Sequence, residues 1–193
     1  MRFLIFFVFI FYINPSYSAT DDWTSYGKGS GGGHFSKADE ITPENVKKLK
    51  RVWVHRSGDY KGGANSAGVK GGEYQTSFQA TPLLVDDTLF YCTSYNRVFA
   101  LDPETGKEKW VFDPKLKKDG RAILACRGLS SWKDETKSSS EKCHHRIMGV
   151  TIDAELFSID GKSGEICNDF GNNGRVNLLS LIHISEPTRH DQI

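Results

Sequence analysis

Ala100-Leu101-Asp102-Pro103-Glu104-Thr105-Gly106-Lys107-Glu108-Lys109-Trp110 returns later in the chain as Ser158-Ile159-Asp160-Gly161-Lys162-Ser163-Gly164-Glu165. Both copies carry Asp-x-x-Thr/Ser-Gly. The Asp side chain of such a turn can accept from backbone amides two or three residues on, and Gly supplies the positive φ that closes a bulged turn. Around the first copy, Phe90-Tyr91-Cys92-Thr93, residues 97–101 and residues 108–112 read as short strands, with Ser94-Tyr95-Asn96 as a turn. Around the second, residues 147–151 and 155–159 are strands, and Ile166-Cys167-Asn168 leads out. Short strands with closely spaced turn signals describe a small sheet repeated radially, as in a propeller. The fold class is therefore all-β, a partial β-propeller. A β-sandwich with similar hairpins is the alternative. Each propeller blade leaves an apolar face uncovered, so two blades alone are not a stable unit.

Composition agrees. Among 193 residues there are 19 Gly, 12 Phe and 2 Met, which favours a turn-rich β protein over a helical bundle. The formal net charge of +1 gives no dedicated basic face for nucleic acid. Hydrophobic residues at 38% and charged residues at 25% fit neither a disordered tail nor a polytopic membrane protein.

Residues 1–19 read as a secretory signal peptide. Met1-Arg2 opens it, residues 3–13 are an unbroken apolar run, and Ser16-Tyr17-Ser18-Ala19 offers small residues for cleavage. The run is too short to span a bilayer, which takes about 20 residues; a retained anchor is the alternative. Export to the periplasm places the 4 cysteines in oxidising space, and no Cys-x-x-Cys suggests zinc or redox chemistry. Cys126 and Cys143 bracket the polar excursion of residues 133–142, so a Cys126–Cys143 bridge is the expected pairing, with Cys92 and Cys167 unassigned. Thr42-Pro43-Glu44 reads as the start of a helix of about two turns ending near Lys50. Residues 51–55 then alternate like a half-buried strand. Gly29-x-Gly31 and residues 61–72 read as loops.

Several further motifs occur in order: Asp22-Trp23-x-x-Tyr26-Gly27, Ile41-Thr42-Pro43-Glu44-Asn45-Val46-x-x-Leu49, Thr81-Pro82-Leu83-x-Val85-x-Asp87-x-Leu89, and Cys126-Arg127-Gly128. With the Asp102–Trp110 run they resemble the N-terminal portion of pyrroloquinoline-quinone (PQQ)-dependent dehydrogenases, nearest the membrane-bound glucose/quinate branch. The resemblance covers residues 21–178, and residues 20–178 are read as the N-terminal part of that propeller domain. It implies the first blades of an eight-bladed quinoprotein propeller, joined by tryptophan docking motifs in which each Trp packs between neighbouring blades. Trp110 fits this motif, while Asn168 stands where the second Trp would be. Residues 179–193 contain Leu179-Ser180-Leu181-Ile182-His183-Ile184-Ser185-Glu186-Pro187-Thr188-Arg189, which resembles a translated transposase adapter of sequencing libraries. That tail is expected to be an artefact, making the chain an N-terminal fragment; a natural tail is the alternative.

The resemblance further implies an enzyme that oxidises a sugar or polyol hydroxyl with PQQ and Ca²⁺, passing electrons to a respiratory quinone or cytochrome, with possible peripheral membrane association. PQQ is flat and carries three carboxylates and an ortho-dione. Arg127 matches the family arginine that addresses the quinone oxygens, a permanently charged fork suited to that task. Thr151 matches a threonine that bonds a cofactor carboxylate. Gln79, in Phe78-Gln79-Ala80-Thr81-Pro82, stands where related enzymes often place Glu near the cofactor. Cys126 would hold the Arg127 loop. Trp132, His144 and His145 read as packing and surface residues. The general-base Asp and the Ca²⁺ ligands are expected beyond residue 178, so the fragment alone is expected to be inactive. A non-catalytic propeller scaffold of the cell envelope, built on the same repeat, is the alternative function.

Overall fold

The computed structural model describes residues 22–28, 31–59, 75–117 and 123–179. The signal-peptide reading, the 61–72 loop and all of the adapter-like tail after Leu179 lie outside these residues. Apart from one short 3₁₀ turn, Val46–Lys48, the named elements are strands.

Two four-stranded antiparallel sheets dominate. The first contains β2 (Leu83–Val85), β3 (Thr88–Cys92), β4 (Val98–Leu101) and β5 (Glu108–Phe112), in that order. The second contains β7 (Ser130–Lys133), β8 (His145–Val150), β9 (Glu155–Asp160) and β10 (Arg175–Asn177), also in chain order. Two consecutive meanders of this kind are propeller blades. Each is preceded by a feeder strand, β1 (Gln75–Thr81) and β6 (Ile123–Gly128), and these two pair in parallel. Val85 and Thr88 pair across a two-residue hairpin in which Asp86 and Asp87 both have positive φ (47° and 51°), the geometry that matches strand twist. Asp tolerates it better than a β-branched residue would.

The blades share one core. Val85, Phe90, Val98 and Ala100 of the first blade form a buried cluster with Leu129, Ile147, Phe157 and Ile159 of the second. Phe112 and Phe157 meet across it with ring centroids 5.1 Å apart. Full burial of a Phe side chain is worth about 1.5–3 kcal/mol, which Phe157 realises at 1% exposure while Phe112 is partly buried. The other face of the first blade, Tyr91, Phe99 and Leu101, is covered by Trp53.

The repeated turn forms as its sequence dictates. Thr105 N–H and Thr105 Oγ1 donate to Asp102 Oδ1 at 2.8 and 2.7 Å. In the second copy Ser163 N–H and Oγ donate to Asp160 Oδ1 at 2.8 and 3.0 Å. Burial alone would raise the Asp160 pKa, but donation from the Cys143, Ser163 and Lys162 amides outweighs it and holds the carboxyl below its usual range. Each turn then receives a tryptophan from upstream. Trp53 Nε1 donates to Pro103 O at 3.0 Å, and Trp110 Nε1 donates to Gly161 O at 3.2 Å. The rings lie flat on Gly106 and Gly164, where an added Cβ would come within 2.5 and 2.6 Å of ring carbons. Both glycines also have positive φ, 70° and 74°. Glycine is thus required twice over.

Several expectations are corrected. The helix expected over residues 43–50 is reduced to the Val46–Lys48 turn, which buries no residue. Thr42 does not cap it through its side chain; its own N–H donates to Asn45 Oδ1 at 2.8 Å. With no apolar face to bury, so short a helix lacks the packing that sustains one. Residues 51–55 alternate in exposure but join no sheet; Val52 is 83% exposed while Trp53 turns inward. The fourth strand of the second blade is Arg175–Asn177, later than Ile166-Cys167-Asn168, of which Ile166 makes only an isolated bridge to Ile159.

The disulfide expectation is also overturned. Cys92 bonds Cys126 and Cys143 bonds Cys167, both with Cα atoms 5.9 Å apart. Parallel pairing of β1 with β6 carries Cys126 against β3, at whose end Cys92 sits. Cys143 is drawn instead into the second blade, where its N–H donates to Asp160 Oδ2 at 2.6 Å. The bridges close loops with sequence separations of 34 and 24. Loop-closure entropy puts each at about 3–4 kcal/mol. Peptide mapping by mass spectrometry without reduction is expected to yield these two linked pairs; a Cys126–Cys143 peptide would refute the arrangement.

Candidate functional site

A cleft of about 1110 Å³ opens between the feeder strands and the second blade. Its wall residues come from four places: Ser25 and Tyr26 near the start, Gln79 on β1, residues 125–130 at the end of β6 and start of β7, and residues 148–152 where β8 ends, with Leu156 behind. The N-terminal segment reaches it because Trp23 and Leu84 exchange backbone hydrogen bonds (2.7 and 3.1 Å) while Ser131 N–H donates to Thr24 O at 3.1 Å. One short stretch thereby bonds to one edge strand of each blade, β2 and β7.

Gln79, Arg127 and Thr151, separated widely in sequence, all line this one cleft. Phe78 pairs with Cys126 and Thr81 with Gly128, so Gln79 and Ala80 together oppose the single residue Arg127. Such a bulge re-aims side chains, and it brings Gln79 to the level of Arg127. Gln79 Nε2 donates to Ser77 Oγ at 2.9 Å, leaving its carbonyl oxygen toward solvent. Arg127 is exposed, and among the described residues its guanidinium has no carboxylate partner. Thr151 is 4% exposed. Its Oγ1 accepts from Glu155 N–H at 3.2 Å, which leaves its own hydroxyl hydrogen to donate elsewhere.

Among the described residues no acidic side chain lines the cleft. One cation without a carboxylate partner among the described residues, hydroxyl and amide donors, and the apolar wall residues Leu129, Met148, Val150 and Ile152 suit a multiply negative ligand with apolar surface. Cys126 backs the cleft, and its bond to Cys92 pins the strand that presents Arg127. Cys143 lies elsewhere, in the second blade with Cys167.

The two histidines are not part of the cleft. His145 is 4% exposed and lies 2.8 Å from Ser131 Oγ; burial holds its imidazole below the usual range. His144 Nδ1 lies 3.0 Å from the Asp134 carbonyl. Among the described residues the one cluster with ligand-like spacing is Cys143, Cys167 and Asp169, whose two sulfurs are bonded to each other.

The family described as "PQQ: Glucose/ethanol/alcohol dehydrogenase, beta-propeller domain" matches residues 23–192. The chain belongs to the PQQ-dependent dehydrogenase family. Within it the glucose/quinate branch is the relevant one. The chain is 35% identical over 181 residues to quinoprotein glucose dehydrogenase A of Acinetobacter calcoaceticus, covering 88% of this chain and 22% of that protein. It is 36% identical over 174 residues to the quinoprotein glucose dehydrogenase of Escherichia coli (strain K12), covering 88% and 21%. Against quinate/shikimate dehydrogenase (quinone) of Acinetobacter baylyi it is 33% identical over 173 residues, covering 81% and 20%. The chain thus spans about a fifth of the length of the curated relatives it matches. The quinohemoprotein alcohol dehydrogenase of Comamonas testosteroni shares the fold, with TM-score 0.58 and 22% identity over 84% of this chain and 20% of that one.

In this PQQ-dependent dehydrogenase portion, Trp53 and Tyr26 take roles that their local sequence does not announce. Tyr26 lines the cleft. Trp53 lies outside any Asp-x-x-Thr-Gly run, so only its contact with Gly106 reveals that it docks like Trp110.

Proposed function

We propose that this chain is the N-terminal portion of an exported quinoprotein dehydrogenase that oxidises a sugar or polyol hydroxyl of the glucose/quinate type. The observation that supports it most is the cleft itself: among the described residues Arg127 has no carboxylate partner, Thr151 and Gln79 line the same cleft, and no carboxylate stands in the wall. When bound there, PQQ supplies the two-electron acceptor for hydride leaving an alcohol carbon.

The chain's own residues bind and orient. The Arg127 guanidinium would hold an oxygen edge of the ligand as a fixed, permanently charged donor. Thr151 would donate its hydroxyl hydrogen to a carboxylate, and Gln79 would offer an uncharged amide to another polar edge. Leu129, Met148 and Ile152 exclude water from the flat faces, which strengthens both contacts. The base that takes the hydroxyl proton, and the Ca²⁺ ligands, belong to blades beyond residue 178. Electrons then pass to a respiratory quinone or cytochrome, and the mature protein works in the periplasm.

The test uses the full-length gene product, purified without cofactor and titrated with PQQ and Ca²⁺. Glucose or quinate should then drive reduction of an artificial electron-accepting dye, with activity saturating at about one PQQ per chain. Absence of PQQ uptake would point to the cofactor-free scaffold instead.

A further inference from the structure

The hairpin turn between β3 and β4, residues 93–97, contributes no residue to the cleft wall yet bonds to β1, to β6 and to the turn between β8 and β9. Ser94 Oγ donates to Ser77 O at 3.0 Å. Asn96 Nδ2 reaches Ala125 O at 3.5 Å, and Asn96 Oδ1 accepts from Ile152 N–H at 3.0 Å. Ser77 and Ala125 each precede a cleft residue, Gln79 and Arg127, by two positions. Residues two apart on a regular strand share a face, so fixing Ala125 directs Arg127, while Ser77 anchors β1 just ahead of the bulge that carries Gln79. Ile152 directly follows Thr151.

Asn96 is 2% exposed and has a φ of 56°. Asn and Gly are the residues that adopt this conformation at little cost. Of these only Asn carries an acceptor and a donor on one short side chain. A residue kept only for its φ would need no buried amide with both ends engaged between two blades.

We propose that Asn96 is a positioning residue for the quinone site, the centre of a clasp that holds the Arg127 strand and the Thr151 turn in register before ligand arrives. The proposal rests on the functional reading above. Pre-formed geometry spares the ligand the cost of ordering its donors, so loss of the clasp should appear as weaker binding.

The experiment compares the full-length protein with Asn96→Gly, which keeps the backbone conformation and removes the bridge. Quinone affinity, measured by fluorescence quenching on titration with PQQ and Ca²⁺, should fall about tenfold, the effect of roughly one net hydrogen bond. Hydrogen exchange at the Ile152 amide should accelerate about tenfold without ligand, while the β3–β4 ladder amides keep their protection. A purely structural role would loosen the ladder as well. Unchanged PQQ affinity, or unchanged Ile152 protection, overturns the proposal. If the variant does not fold, Asn96→Asp replaces it: the Ile152 acceptor remains and the Ala125 donor is lost, so affinity should fall with Ile152 still protected, and equal affinity overturns the clasp. A wild-type protein that takes up no PQQ overturns the functional reading instead, and Ile152 exchange then decides for Asn96 by itself.

Discussion

Arg127→Ala in the full-length protein lowers PQQ-dependent dye reduction by about 10²–10³-fold, the usual loss when a donor aimed at developing oxyanion charge is removed. Arg127 is suited to this because no carboxylate among the described residues claims it. Arg97, by contrast, is held by Asp59 Oδ1 at 2.7 Å, and Arg146 by Asp169 Oδ2 at 2.7 Å. A guanidinium already paired on a protein carboxylate has little field left for a ligand. The loss should fall mainly on turnover at saturating PQQ, since the charge on the dione oxygens is greater in the transition state than in the bound quinone. Arg127→Lys should recover only part of it, because an ammonium is a point charge and cannot present two parallel donors. Wild-type turnover in Arg127→Ala would remove this residue from the chemistry.

Gly164→Ala is expected to destabilise the protein by about 2–4 kcal/mol, more than an exposed turn substitution normally does. Two costs combine. Alanine at a φ of 74° carries about 1–2 kcal/mol of backbone strain. Its Cβ would also sit 2.6 Å from Trp110 Cε3, so the indole must lift off the turn and give up its bond to Gly161 O. Part of the shared core then opens, because Trp110 packs on the cluster that contains Phe90. Thermal unfolding followed by circular dichroism should show a midpoint lower by several degrees. Gly106→Ala should behave alike through Trp53. A midpoint within a degree of wild type for both variants would mean that tryptophan docking on these turns does not stabilise the fold.

What could be read directly from the chain was local. The Asp102 and Asp160 turns are fixed by hydrogen bonds spanning three residues, so Asp-x-x-Thr/Ser-Gly suffices to announce them. Strands β3, β4, β5, β8 and β9 follow from β-branched and aromatic runs between such turns, and two copies of the unit imply a repeated sheet. Gln79, Arg127 and Thr151 were legible only through resemblance, since an exposed Arg and a strand Thr carry no signature by themselves.

Tertiary structure alone decided the rest, for one physical reason: those features depend on which distant segments lie side by side. The parallel β1–β6 register puts Cys126 beside Cys92 and folds Gln79 opposite Arg127, and nothing near either cysteine in sequence specifies that pairing. Trp53 docks because Gly106 leaves it a flat floor fifty residues away, and a short 3₁₀ turn stands where a helix would have needed an apolar partner. Short-range hydrogen bonds make the repeat a property of the sequence; the cleft, the bridges and the clasp at Asn96 exist only once the blades have packed.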